Sequence, residues 1–261
     1  DGCIGFHTQA LAKLGASKEE VMETLQAAGI PATMSFRPRD LRVSAHLEER
    51  GYWREVPTDE GQRPAMGPVY RIAGMDWRTD QMCGPRSTTS TLGSRTAPTA
   101  RTRRNGAPLA GVRVLDLSTA WAGPLAGRLL ATLGAEVVHV ESVGRMDLAR
   151  GNPVGDHPRR FVDQDPGERP YNRSIFFNAQ NLHKRSLSVD VKKPGGAEAL
   201  RAVAQTADVV LSNFSPGTMG RMGLVYDDLA AKNPGLVYLE MPACGTWGPM
   251  SKHTGLGPNM E

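Results

Sequence analysis

The feature that most constrains this chain is a run beginning near residue 108, in which short apolar segments alternate with segments of helical spacing. GVRVLDLS (111–118) has the nearly continuous apolar character of a strand buried on both faces. Pro124 to Leu133 reads as a helix closed by Gly134, and AEVVHVE (135–141) as a second strand. A helical crossover makes its two strands parallel neighbours, and parallel sheets need helices on both faces. The pattern continues through a strand over Ser186 to Val191, a helix over Gly195 to Gln205 and a strand in ADVVLSNF (207–214). A short helix from Asp227 to Lys232 and a strand from Leu236 to Met241 follow. The expected fold for 108–261 is therefore α/β, a Rossmann-like parallel sheet, with Leu115, Val138, Val189, Val210 and Val237 sharing its core. Ligands of such sheets bind beyond the carboxyl ends of the strands, so function is expected in the segments after Leu117, Glu141, Leu211 and Met241.

Residues 1–86 have a different texture, a mixed α+β pattern. DGCIGF (1–6) suits the end of a strand, and Ser17 to Gly29 reads as a helix. Ser17 and Glu20 have capping-box spacing, Val21, Leu25 and Ala28 form a stripe, and Gly29 is a stop signal. A second helix is expected over Asp40 to Gly51, then strands over Tyr52 to Val56 and Val69 to Ala73. Between Pro85 and Asn105 periodicity gives way to Ser, Thr and Arg, the composition of a linker. The expected division is 1–86, a linker over 87–107, and 108–261.

Composition narrows the function classes. The hydrophobic share of 39% is ordinary for a globular protein, and no apolar run approaches the roughly 20 residues of a membrane span. No charged-then-apolar leader is seen, so a cytoplasmic protein without a membrane partner is expected. Cys3, Cys83 and Cys244 are too scattered for a disulfide framework or a CxxC site, and none of the six histidines has metal-ligand spacing. No metal is expected. The net charge of +4 is compatible with an anionic ligand but gives no reason to expect nucleic acid. Its basic residues gather in two places: Arg101, Arg103 and Arg104 in the linker, and Lys184, Arg185, Lys192 and Lys193 within patterned structure. The turn Ser118 to Gly123 lacks GxGxxG, which disfavours nicotinamide and flavin cofactors.

Three segments carry a family resemblance: PLAGVRVLDLSTAWAGPLAGRLLATLGAEVVHVES, NLHKRSLSVDVK, and ADVVLSNFSPGTMGRMGLVYDDL with NPGLVYLEM. In this order they resemble the class III CoA-transferases of CaiB/BaiF type, whose pattern ADVVxENFxPGxxxRxGL is met by Asn213, Phe214, Pro216, Gly217, Arg221 and Gly223. The resemblance implies an enzyme moving CoA between carboxylic acids, with acyl-CoA and a free acid as substrates and no tightly bound cofactor. It also implies a dimer, or a pseudo-dimer of two modules. It places Asn213, Phe214, Arg221 and Met222 at the CoA site, with Lys184, Arg185, Val189 and Lys192 near its phosphates. Phe214 would offer an apolar face, Asn213 amide donors and acceptors, and Arg221 a forked cation for phosphate or adenine. Ala120 and Trp121 are implied beside the thioester. Trp121 replaces a residue that is polar in many members, and it either shapes an apolar acyl pocket or packs as a core aromatic. Among the histidines, His183 in the basic cluster is the one worth testing.

The nucleophile implied by the family is an aspartate, expected past Glu261, so no catalytic residue is named and the chain alone is expected not to exchange CoA. Glu261 reads as a neighbour of the site, and Cys244 lacks a His or Asp partner placed by sequence. Two other functions fit the same resemblance: a racemase or isomerase working by acid and base at the thioester's α carbon, and a non-catalytic CoA-binding partner module. LQAAGIPATMSFRPRDLRVSAHLEERGYWREV (25–56) and GPVYRIAGMDW (67–77) resemble the carboxyl-terminal part of the same family's module. Tail precedes head, as in a piece of a tandem two-module member or, alternatively, a circular permutation.

Overall fold

The computed structural model describes residues 13–34, 38–58, 61–67, 72–73, 107–151 and 158–255. The chain divides into two units, one of residues 1–101 with 246–261, the other of residues 102–245. The expected linker up to residue 106, the opening strand and most of the strand expected over Val69 to Ala73 lie outside the described residues.

In the first unit, the Ser17 hydroxyl accepts from Glu20 N at 3.1 Å while Ser17 N donates to the Glu20 carboxylate at 2.8 Å, the reciprocal capping box that starts α1 (Lys18–Ala27). Gly29 follows with a left-handed φ of 72°. The single helix expected over Asp40 to Gly51 is two short ones, α2 (Pro38–Leu41) and α3 (Ala45–Glu49). The break falls at Ser44, whose hydroxyl accepts from Leu47 N and so caps a new helix. β1 (Trp53–Thr58) and β2 (Gly61–Met66) form an antiparallel hairpin. The segment from Thr246 onward belongs to this unit. Gln26 donates to Thr254 O at 3.0 Å and accepts from Thr254 N at 2.8 Å, and Met250 N donates to His46 Nδ1 at 3.2 Å.

The second unit holds β3 (Arg113–Asp116), α4 (Ala122–Thr132), β4 (Glu136–Glu141), α5 (Ile175–Gln180) and β5 (Arg185–Ser188). It continues with α6 (Gly196–Ala204), β6 (Val209–Ser212), α7 (Thr218–Arg221), α8 (Tyr226–Ala230) and β7 (Val237–Glu240). Its five strands are all parallel, in the order β5-β4-β3-β6-β7. Helices cover both faces. On one, Leu115 and Val210 pack with Leu200 and Ala204 of α6, Met219 of α7 and Leu229 of α8. On the other, Val114, Val137 and Leu211 pack with Ala131 of α4. Val138 and Val189 join the first cluster as expected. Val237 does not: it is 58% exposed on the outermost strand, and Tyr238, one residue on and on the opposite face, packs inward instead. Among the described residues no helix is long and apolar enough to cross a membrane.

Candidate functional site

The chain leaves β3 to one side of the sheet and β6 to the other, so the crevice beyond their carboxyl ends is the switch point of the topology. β3 ends in an Asx-type turn, in which the carboxylate of fully buried Asp116 accepts from both the amide and the hydroxyl of Ser118. Asn213, immediately after β6, spans the crevice. Its Oδ1 accepts from Thr119 N at 2.9 Å and its Nδ2 donates to Thr119 O at 2.7 Å. Ala120 follows in the left-handed region at φ 68°, and its amide donates to Asp147 Oδ1 at 2.9 Å. Trp121 then caps α4 without a side-chain bond, 56% exposed and tilted against Phe176 at 6.3 Å between centroids.

The two glycines of α4 let it sit against this turn. A Cβ at Gly123 would lie 2.1 Å from the Ser118 Cβ, and one at Gly127 would lie 2.6 Å from Asp116 Oδ2. Their four-residue spacing therefore serves helix packing.

Beneath the turn lies a charged cluster that sequence reading missed. Lys184 Nζ, buried, donates to Asp116 Oδ2 at 2.7 Å, Pro124 O at 2.8 Å and Asn181 Oδ1 at 2.7 Å. His139 of β4 stands with Nδ1 3.5 Å from Asp116 Oδ2 and Nε2 3.9 Å from both Glu141 Oε2 and Asp147 Oδ2. Arg150 forks onto Glu141 and lies over the Phe177 ring at 3.5 Å. Burial pushes the Asp116 carboxyl up, but contact with His139 and the Lys184 charge overcome it and hold it below the usual carboxylate range. Glu141 is likewise lowered, burial being outweighed by Arg150 and the Asp147 amide. Among the described residues no group of three or more His, Cys, Asp and Glu side chains is arranged to hold a metal.

The residues expected at the site fall into three sets. Ala120, Trp121, Asn213 and Phe214 meet at the crevice; Phe214 also packs on the core, with Arg145 at 5.7 Å from its ring centroid. Arg221 and Lys192 are exposed, the Arg221 guanidinium bonding only within its own helix, to Thr218 Oγ1 at 2.7 Å. The others turn elsewhere. Lys184 uses all three protons inside the cluster, where a phosphate cannot meet it. Arg185, 75% exposed, pairs at 3.1 Å with Glu136 at the amino end of β4, away from the crevice. Val189 and Met222 pack against the hydrophobic core, and His183 is exposed on a left-handed turn. Glu261 lies outside the described residues.

An open parallel sheet whose connections reverse at a central switch point defines a doubly wound α/β protein, a class in which ligands bind beyond the carboxyl ends of the strands. The sequence pattern of CoA-transferase family III matches residues 109–261, and the chain belongs to that family. It is 40% identical over 149 residues to a probable fatty acyl-CoA transferase of Mycobacterium tuberculosis, covering 57% of this chain and 35% of that protein. It is 36% identical over 153 residues to the succinate–glutarate CoA-transferase of Agrobacterium fabrum, again covering 57% of this chain and 35% of that one. The crystal structure of a CaiB/BaiF family protein from Brucella suis matches at 37% identity and a TM-score of 0.49, covering 57% of this chain and 37% of the other. The chain thus spans about a third of the length of the curated relatives it matches.

Proposed function

We propose that the second unit binds the CoA moiety of an acyl-CoA at the β3–β6 crevice, as part of an enzyme that transfers CoA between carboxylic acids. The observation that carries this reading is the pairing of Asn213 with the Thr119 backbone at the switch point. It brings two of the family-resembling segments to one cleft next to Phe214, and the short helix that carries the exposed Arg221 follows a few residues on. By family resemblance, a carboxylate oxygen attacks the acyl thioester carbon and the CoA thiolate leaves, giving a mixed anhydride. The thiolate then attacks the enzyme's own carbonyl and expels the first acid; the second acid reverses the sequence and departs as its CoA ester. None of the described residues is assigned as that carboxylate. Residues 1–86 are read as the tail of a preceding module, joined through 87–107.

The test is calorimetric titration of CoA into the full chain and into Arg221→Ala. Loss of a charge-assisted contact of about 1.5 to 3 kcal/mol should weaken binding about tenfold to a hundredfold, and affinity should fall with added salt. Equal affinity would remove Arg221 from the site, since exposed pairs contribute only about 0 to 1 kcal/mol. No binding of CoA by the parent chain would sink the reading.

A further inference from the structure

We infer that Asp147 is a positioning residue for bound CoA, acting through the backbone of Ala120; the inference rests on the reading of the crevice given above. Ala120 is the only one of the turn residues 118–121 in the left-handed region, a conformation unfavourable for an L-residue that persists only where the surroundings impose it. What imposes it is visible. Asn213 grips Thr119 from one side, and the Asp147 carboxylate takes the next amide from the other.

Asp147 is itself firmly held. Its amide donates to Glu141 Oε1 at 2.9 Å, and Glu141 is clamped by Arg150. Its Oδ1 accepts from Ala149 N at 2.7 Å as well as from Ala120 N, so one oxygen ties the loop after β4 to the turn before α4. Oδ2 is buried without a hydrogen bond, 3.9 Å from His139 Nε2. Oδ1 sets the entry angle of α4, and with it the backbone amides at the helix start and the exposed Trp121 ring, all on the ligand side of the sheet.

The experiment compares CoA affinity by calorimetry in five chains: parent, Asp147→Ala, Asp147→Asn, Ala120→Gly, and Asp147→Ala combined with Ala120→Gly. Asparagine keeps an oxygen for both amides and should bind within about threefold of the parent, whereas alanine should lose about tenfold or more. Glycine adopts positive φ without strain, so in the Ala120→Gly background the alanine effect should shrink to about threefold or less. A merely structural Asp147 would lower thermal stability in both backgrounds alike and show no such rescue. Should Asp147→Ala not fold, Asp147→Ser, with a side chain too short to reach Ala120, replaces it. An alanine effect that is absent, or undiminished beside Ala120→Gly, overturns the inference. If the parent does not bind CoA, the functional reading fails; Ala120 amide exchange then decides the turn alone, faster exchange in Asp147→Ala supporting the constraint and unchanged exchange refuting it.

Discussion

Asp116 and Lys184 show what a single pair of residues does under the crevice. Both side chains are essentially inaccessible to water, and each ion answers the other at 2.7 Å. Burial alone pulls the Lys184 ammonium below its ordinary range, and Asp116 resists that pull. Replacing one partner of such a pair leaves a buried, uncompensated charge, which costs about 3 to 5 kcal/mol, more than any exposed ion pair contributes. Lys184→Met is therefore expected to lower stability by that amount, and Arg185→Met, at an exposed pair, by less than about 1 kcal/mol. Urea unfolding of both variants checks the contrast. These two neighbours looked alike in sequence, as adjacent members of one basic cluster. Their partners separate them: Lys184 meets a carboxylate 68 residues earlier, a distance over which spacing carries no information. The signal that was present is Asp116, an acid near the end of an apolar strand, which had to be either exposed or paired.

At the level of elements, the five strands of the second unit and its helices α4, α6 and α8 were legible because alternation and glycine stops are local, whereas α5 and α7, six and four residues long, are too short to carry a helical period and were not expected. α4 begins two residues before the expected Pro124 and ends beside Gly134; β5 starts one residue early and stops at Ser188, short of the expected Val191. The class and order of the elements survive such shifts. What the pattern could not reveal was which glycines are required. Gly123 and Gly127 resembled a weak nucleotide-loop spacing, yet at Gly123 α4 meets Ser118 in the turn after β3, and at Gly127 it meets Asp116 at the end of β3. Alanine at Gly123 would gain about 1 kcal/mol of helix propensity. Its Cβ would also sit 2.1 Å from that of Ser118, in a turn held by Asp116 and Asn213. Forcing a shift in a packed contact costs about 1 to 3 kcal/mol, so the clash should prevail and Gly123→Ala should destabilise. Gly220→Ala, whose Cβ would meet nothing within 4 Å, is the control and should be neutral or stabilising by thermal unfolding. Val237 makes the complementary point. An apolar residue in a strand pattern is core only if something covers its face, and at the sheet edge Tyr238 is packed instead.

Over the whole molecule, two units mean that one unfolding midpoint is not well defined, so acid sensitivity is best followed segment by segment. Asp116 and Glu141 have folded-state pKa values below their ordinary ones. The unfolded chain therefore takes up protons at higher pH than the folded chain, and the stability these groups supply is complete above about pH 5 and lost as pH falls through 4 and below. Glu240 runs the other way. Burial raises its pKa, so the folded chain protonates it first and its contribution grows as pH falls. The two lowered carboxylates are central to the sheet and bonded to cations, whereas Glu240 is one group on the outermost strand, so the net effect should be acid destabilisation of the second unit. Hydrogen exchange of the β3, β4 and β6 amides, corrected for intrinsic rates, should show protection falling between pH 5 and pH 3. In Glu240→Gln the fall should be steeper, because the opposing group is gone. Protection that stays level or rises over that interval would mean that the charged cluster beneath the crevice does not govern the unit's stability.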